Sequence, residues 1–169
     1  GELSSYYLEL KKLDEIFQFT YGGLWSEQDQ DKQRRKLEFW AKDVLESGIN
    51  QKLIKGVANK VRKRYDFRTY PPTLNQFVLE CRFEQAGLEL GDPERYFYSA
   101  INGEYDKIDA IANSVVSIIG TRRLKTQSDN TMKKRFVEIY YQEAINHLEN
   151  PDKYIKQEVE TDGSAENVL

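Results

Sequence analysis

The sequence predicts an all-α fold, a compact helical body of about six to seven helices with short loops. Three observations predict it. Apolar residues recur at three- and four-residue spacing along most of the chain, and each such stretch is bounded by capping residues or by Gly and Pro stops. No run of alternating polar and apolar residues is followed by a hairpin turn, which is the pattern that strands require.

Tyr6, Leu10, Leu13 and Phe17 define the first helix, which Gly22-Gly23 ends. Ser26, with Glu27 and Asp29 behind it, reads as the start of a second, because acids in a first turn meet the positive end of the helix dipole. Its stripe is Leu37, Trp40, Ala41, Val44 and Leu45, and Ser47-Gly48-Ile49 stops it: Gly48 takes a left-handed conformation and Ile49 folds back. Asn50 caps a third helix with Leu53, Ile54, Val57, Ala58 and Val61 inward, and Gly56 within it suggests close approach of another backbone.

Tyr70-Pro71-Pro72 forbids helix, and Thr73 then caps a fourth, with Gln76 at the spacing of a capping box. Leu74, Phe77, Val78 and Cys81 form its stripe, and Gly87-Leu88 repeats the Gly48-Ile49 stop. Asp92-Pro93-Glu94 opens an aromatic fifth helix carrying Tyr96, Phe97 and Tyr98. Asp106 is the expected cap of a sixth, with Ile108, Ile111, Ala112, Val115, Val116 and Ile119 inward and Gly120 at its end. Ser128 or Asp129 begins a seventh, which Asn150-Pro151 stops. The expected organisation is an N-terminal helical subdomain over 1–88 holding the Pro-Pro-Thr motif, a C-terminal helical subdomain over 92–150, and a flexible acidic tail over 151–169.

With 169 residues, the chain can bury a core without metal or disulfide staples. The single Cys81 falls on an apolar face and reads as a buried thiol in a reducing compartment, so the expected location is cytoplasmic, with no membrane partner. No glycine-rich phosphate loop followed by Lys and Ser or Thr occurs, so a nucleotide cofactor is not expected. His147 is the one histidine and has neither a second His nor a Cys to build a metal site or a triad. Acid pairs such as Glu27/Asp29 and Asp106/Asp109 sit at helix starts, where capping explains them; the expectation is a non-enzymatic protein without metal or other cofactor.

The net charge of −3 hides a strong segregation of sign. From Lys52 to Arg68 there are seven cations and one acid, Asp66; a second cluster holds Arg122, Arg123, Lys125, Lys133, Lys134 and Arg135; the last twelve residues carry four acids and no base. Cations track phosphates and aromatic faces stack bases, so Lys60, Arg62, Lys63, Arg64 and Arg68, interleaved with Tyr65, Phe67 and Tyr70, are the candidate nucleic-acid-binding residues. A solvated basic helix face followed by a core-packing aromatic loop is the plainer alternative. Tyr96, Arg122, Arg123, Lys134, Arg135, Tyr140 and Tyr141 are the candidates for contact with a protein partner, tyrosine and arginine being favoured at interfaces.

Read together, Phe39-Trp40-Ala41 with Leu45, Gly48-Ile49, Ile54-x-Gly56, Arg62-Lys63-Arg64, and Pro71-Pro72-Thr73-Leu74-x-Gln76-Phe77 closing on Cys81-Arg82 resemble replication protein P of lambdoid phages and its prophage relatives. The resemblance covers Leu37 to Arg82. It implies an ATP-independent loader of a DnaB-type replicative helicase, of phage or mobile-element origin, that holds the hexameric ring open for delivery to single-stranded DNA. In the family the helicase grip lies mostly in the C-terminal half. An N-terminal arm reaches an origin-binding initiator; no counterpart is recognisable before Tyr6, and a start at Gly1 rather than Met makes the expectation one of an arm upstream. Two other readings fit the same residues: a helicase-binding inhibitor of replication, and a single-strand-binding adaptor with no helicase partner.

Overall fold

The computed structural model describes residues 1–152, and it is all-α: among them no strand forms. The helices are α1 (Glu2–Tyr21), α2 (Gln30–Glu46), α3 (Ile54–Val61), α4 (Leu74–Gln85), α5 (Pro93–Ile101), α6 (Ala110–Ile119), α7 (Thr121–Thr126) and α8 (Asn130–Glu149). Short 3-10 turns occupy Gly22–Leu24, Gln51–Leu53, Tyr65–Phe67 and Tyr105–Lys107. The chain divides into two compact units, Gly1–Leu90 and Gly91–Leu169. The acidic tail expected over 151–169 lies, from residue 153 on, outside the described residues.

In the first unit α1 packs on α2 and α3, and α3 packs on α4. Leu10, Leu13 and Phe17 of α1, Trp40, Ala41 and Val44 of α2, Ile54, Val57, Ala58 and Val61 of α3, and Phe77 and Cys81 of α4 share one core. Its centre is aromatic: the Phe17 ring meets Tyr21, Trp25 and Phe77 edge-on at 5.4, 5.1 and 6.4 Å, and Trp25 meets Trp40 at 5.0 Å. Polar groups at the edge of this cluster are satisfied. Asp14 Oδ1 accepts from both Trp25 Nε1 (2.8 Å) and the buried Gln33 Nε2 (2.7 Å), and Gln33 Oε1 accepts from the Glu27 backbone N–H (2.8 Å).

The helix ends follow local chemistry. Thr73 and Gln76 form the full capping box at the head of α4. After α2, Ile49 N–H reaches Val44 O and Gly48 N–H reaches Leu45 O, with Gly48 at φ +74°; Leu88 and Gly87 repeat both bonds after α4. The left-handed turn needs a residue without a Cβ, which is why each stop is glycine followed by an apolar residue that folds back. Glu104 and Gly103 make the same pair of bonds after α5.

Four expectations are corrected. Asp29, not Ser26, caps α2, accepting from Asp31 N–H at 2.8 Å; residues 26–28 stay outside the helix because Glu27 N–H is taken by Gln33. Asp109, not Asp106, caps α6, its Oδ1 accepting from Ala112 N–H at 2.8 Å, while Asp106 sits in the preceding 3-10 turn. A helix the sequence pattern did not reveal, α7, fills the connection after Gly120 and is seated by the fully buried Leu124. Gly56 has no backbone against it: a Cβ added there would meet nothing within 4 Å, and the residue lies on the exposed side of α3. Gly56→Ala is therefore expected to stabilise the chain by about 0.5–1 kcal/mol through helix propensity alone, measured by denaturant unfolding. A loss of stability would mean that the glycine has a packing role.

In the second unit α8 packs on α5 and α6, and α7 contacts both of those helices. Phe97, Ala112, Val115, Ile119, Leu124, Met132, Phe136, Tyr140 and Ala144 are buried between them, with Phe97 and Phe136 edge-on at 5.8 Å.

Candidate nucleic-acid interface

Burial of Ile54, Val57, Ala58 and Val61 fixes the rotation of α3 and turns the intervening positions outward. Lys52, Lys55, Lys60 and Lys63 are consequently exposed along one side of the helix and its flanking turns. Lys60 Nζ pairs with Glu84 Oε2 at 3.1 Å, each side chain 42% exposed. An ion pair in that much solvent contributes at most about 1 kcal/mol, so Lys60 can exchange its partner for a phosphate at little cost.

Of the five residues expected to contact nucleic acid, Lys60, Lys63 and Arg68 project into solvent. Arg68 lies flat on Tyr65, its guanidinium carbon 3.7 Å from the ring centroid and Nη1 donating to Tyr65 O at 2.5 Å. A guanidinium held on an aromatic face keeps outward N–H groups available and loses little freedom on binding. Tyr70 stands nearby in sequence at 64% exposure, a ring that packing does not claim. Arg62 is half-buried, its Nε donating to Asn59 Oδ1 at 3.3 Å. It also lies close to Tyr21, whose hydroxyl burial pushes up to about 12, partly offset by the Arg62 charge, and donates to Phe67 O at 2.8 Å.

Arg64 is corrected. Its guanidinium pairs with Glu80 of α4, and the two side chains are 11% and 5% exposed. It is a structural cation, and the acid that holds it was not anticipated. A signal for it exists in the sequence, because Glu80 stands three residues after Phe77 and three before Phe83, in register with the apolar stripe.

The protein-contact candidates of the second unit divide in the same way. Arg122, Arg123, Lys134 and Arg135 are exposed; Tyr96 and Tyr141 are half-buried, their rings 6.0 and 5.9 Å from Tyr140. Tyr140 is corrected: it is fully buried and presents nothing to a partner. Its hydroxyl donates to Asp109 Oδ2 at 2.7 Å and accepts from Gly91 N–H at 3.0 Å, which ties α8 to the head of α6. Burial raises the Asp109 carboxyl from its ordinary value against the pull of its hydrogen bonds, and burial first, then the Asp109 charge, raises Tyr140. Gly91 must lack a side chain here, since a Cβ would collide with the Tyr96 ring.

Cys81 is fully buried, and burial pushes its thiol up to about 12, which keeps it protonated and unreactive. A cleft of about 640 Å³ borders Tyr6, Gly48, Asn50 and Gln85, but its polar groups answer one another: Gln85 accepts from Asn50 N–H at 2.8 Å and donates to Gly48 O at 3.0 Å. Among the described residues no group of three or more His, Cys, Asp or Glu could hold a metal ion, and no helix is long and apolar enough to cross a membrane.

Fold and surface together define a class: a two-unit, all-α protein with exposed cationic helix faces. Compared with known protein families, with curated proteins and with solved structures, the chain matches none.

Proposed function

We propose that this chain works by binding, as an ATP-independent loader that grips a DnaB-type replicative helicase and delivers it to single-stranded DNA held along α3 and the turn after it. The observation that carries the reading is Phe39. Among the residues in which the chain resembles replication protein P, packing accounts for Trp40, Ala41, Ile49, Ile54, Phe77 and Cys81, all buried. Phe39 is 67% exposed, an aromatic side chain with no internal reason to be there and a natural anchor for a protein partner. The ring is opened by differential affinity, because a ligand shifts a conformational equilibrium only by binding one state more tightly.

Native mass analysis of the chain mixed with the hexameric helicase tests this: a complex is expected, weakened by Phe39→Ser. Failure to form any complex at micromolar concentration leaves the second reading, a single-strand-binding adaptor, which the exposed Lys52, Lys55, Lys63 and Arg68 favour. A complex that lowers helicase delivery at every stoichiometry assigns the chain to inhibition instead.

For the α3 face, the combined Lys55→Glu, Lys63→Glu and Arg68→Glu variant is expected to weaken oligo-dT binding and to flatten its salt dependence by about 2 in log K against log salt, roughly 0.7 per lost phosphate contact. Fluorescence anisotropy across a salt series measures both. Unchanged affinity and slope would return the face to a solvated role.

A further inference from the structure

The second unit carries a cationic surface that its fold does not consume. From Gly120 to Val137 there are six cations, Arg122, Arg123, Lys125, Lys133, Lys134 and Arg135, and one acid, Asp129. That acid is committed to the head of α8, accepting from Met132 N–H at 2.9 Å. Lys133 is committed as well, to Glu94 Oε1 at 3.1 Å and to the Tyr98 hydroxyl at 3.4 Å. The remaining five are exposed, and none makes an ion pair among the described residues. Gathering like charges on one short helix and the following helix start opposes folding, so their placement answers to something outside the chain.

We propose that α7 and the first turns of α8 form a phosphodiester-binding surface, a second nucleic-acid contact distinct from α3 and independent of any helicase. Arg123 and Arg135 border one cleft of about 420 Å³, with the hydroxyl-bearing Thr126 and Thr131 on its wall. Two guanidinium-bearing side chains at one cleft supply charge suited to the oxygens of a phosphate, beside the Asp129 carboxylate that lines the same cleft and caps α8. The chemistry of the patch separates phosphate from an acidic protein surface. A protein interface needs an apolar or aromatic centre, and among the described residues of this unit the large apolar side chains exposed are Tyr98 and Ile118, neither of them between Gly120 and Val137. A surface of charge without such a centre gives salt-sensitive attachment to a polyanion whatever its sequence.

The test is anisotropy of labelled oligo-dT, and of a duplex of equal length, with the full chain and with the combined Arg123→Glu, Lys134→Glu and Arg135→Glu variant. All three side chains are exposed, and circular dichroism and thermal melting check that the fold survives. The expected result is at least about a tenfold loss of affinity at low salt for one or both probes, with the salt slope reduced by about 2. A milder Arg123→Gln, Arg135→Gln variant should lose affinity in the same direction. No binding by the wild-type chain, or unchanged affinity and slope in the Glu variant, overturns the proposal. Unchanged DNA binding with lost helicase capture overturns it too, and gives the patch to a protein partner. Helicase capture is read separately, so this surface can stand or fall without the loader reading.

Discussion

Replacing Phe17 by alanine is expected to destabilise the first unit by about 3 to 5 kcal/mol, the range for truncating a buried phenylalanine. The side chain is fully buried, and its ring is met edge-on by Tyr21, Trp25 and Phe77. The loss depends on how far the neighbours can collapse into the space, and two of the three are held by hydrogen bonds at their polar ends. Tyr21 is held by its hydroxyl on Phe67 O at 2.8 Å, and Trp25 by its indole N–H on Asp14 at 2.8 Å. Rings fixed at their far ends cannot slide inward, so the cavity persists and the upper half of the range is expected. Each lost edge-on pair adds about 0.5–1.5 kcal/mol beyond buried area. Both tryptophans of the chain lie in this unit, so denaturant unfolding followed by tryptophan fluorescence reports on it directly. Phe19, two residues on and 91% exposed, is the control: Phe19→Ala should change stability by no more than about 0.5 kcal/mol. A Phe17 loss as small as the Phe19 loss would mean that the aromatic cluster repacks freely.

The aromatic centre was legible in the sequence because Leu10, Leu13, Phe17 and Leu37, Trp40, Val44 keep a strict helical period, and because buried faces have no other way to be written. Capping was legible where one side chain answers one backbone group, as at Thr73 with Gln76 and at the Gly48 and Gly87 stops. Where two acids compete for one helix start, pattern alone did not decide. Asp109 prevails over Asp106 because its second oxygen is also claimed by Tyr140, thirty-one residues away. Helix α7 escaped for a related reason: with one buried residue, Leu124, it has no period to read. The candidate site was half legible. A run of cations says that a surface is basic, but which cation reaches solvent depends on what the next helix carries, and Glu80 is contributed by α4. Tyr140 failed as a surface residue through the same kind of distant pairing, a hydroxyl satisfied inside the fold.

Arg64→Ala is expected to cost about 3 to 5 kcal/mol, the penalty for removing one member of a buried ion pair, because Glu80 is 4% exposed and its carboxylate would stay behind unneutralised. The direction of the asymmetry is itself a prediction. Glu80→Leu should be milder, since Arg64 retains the Phe67 ring 5.5 Å from its guanidinium carbon and has a long stem with which to reach water. The double change Arg64→Met with Glu80→Leu should recover most of the Arg64→Ala loss, because packed apolar groups of similar volume avoid the desolvation that the pair has to offset. Unfolding of the wild type, Arg64→Met, Glu80→Leu and the double variant closes a double-mutant cycle, and a coupling energy near zero would sink the assignment. The same variants distinguish structure from recognition. A phosphate ligand at Arg64 would make Arg64→Ala lower the salt slope of DNA binding by about 0.7 at unchanged stability. A structural cation predicts the reverse, a large drop in stability with an unaltered slope for the molecules that remain folded. The basic stretch Arg62-Lys63-Arg64 therefore has to be divided residue by residue: Lys63 faces outward, Arg62 is half-claimed by Asn59, and Arg64 ties α4 to the end of α3, holding in place the helix that displays the others.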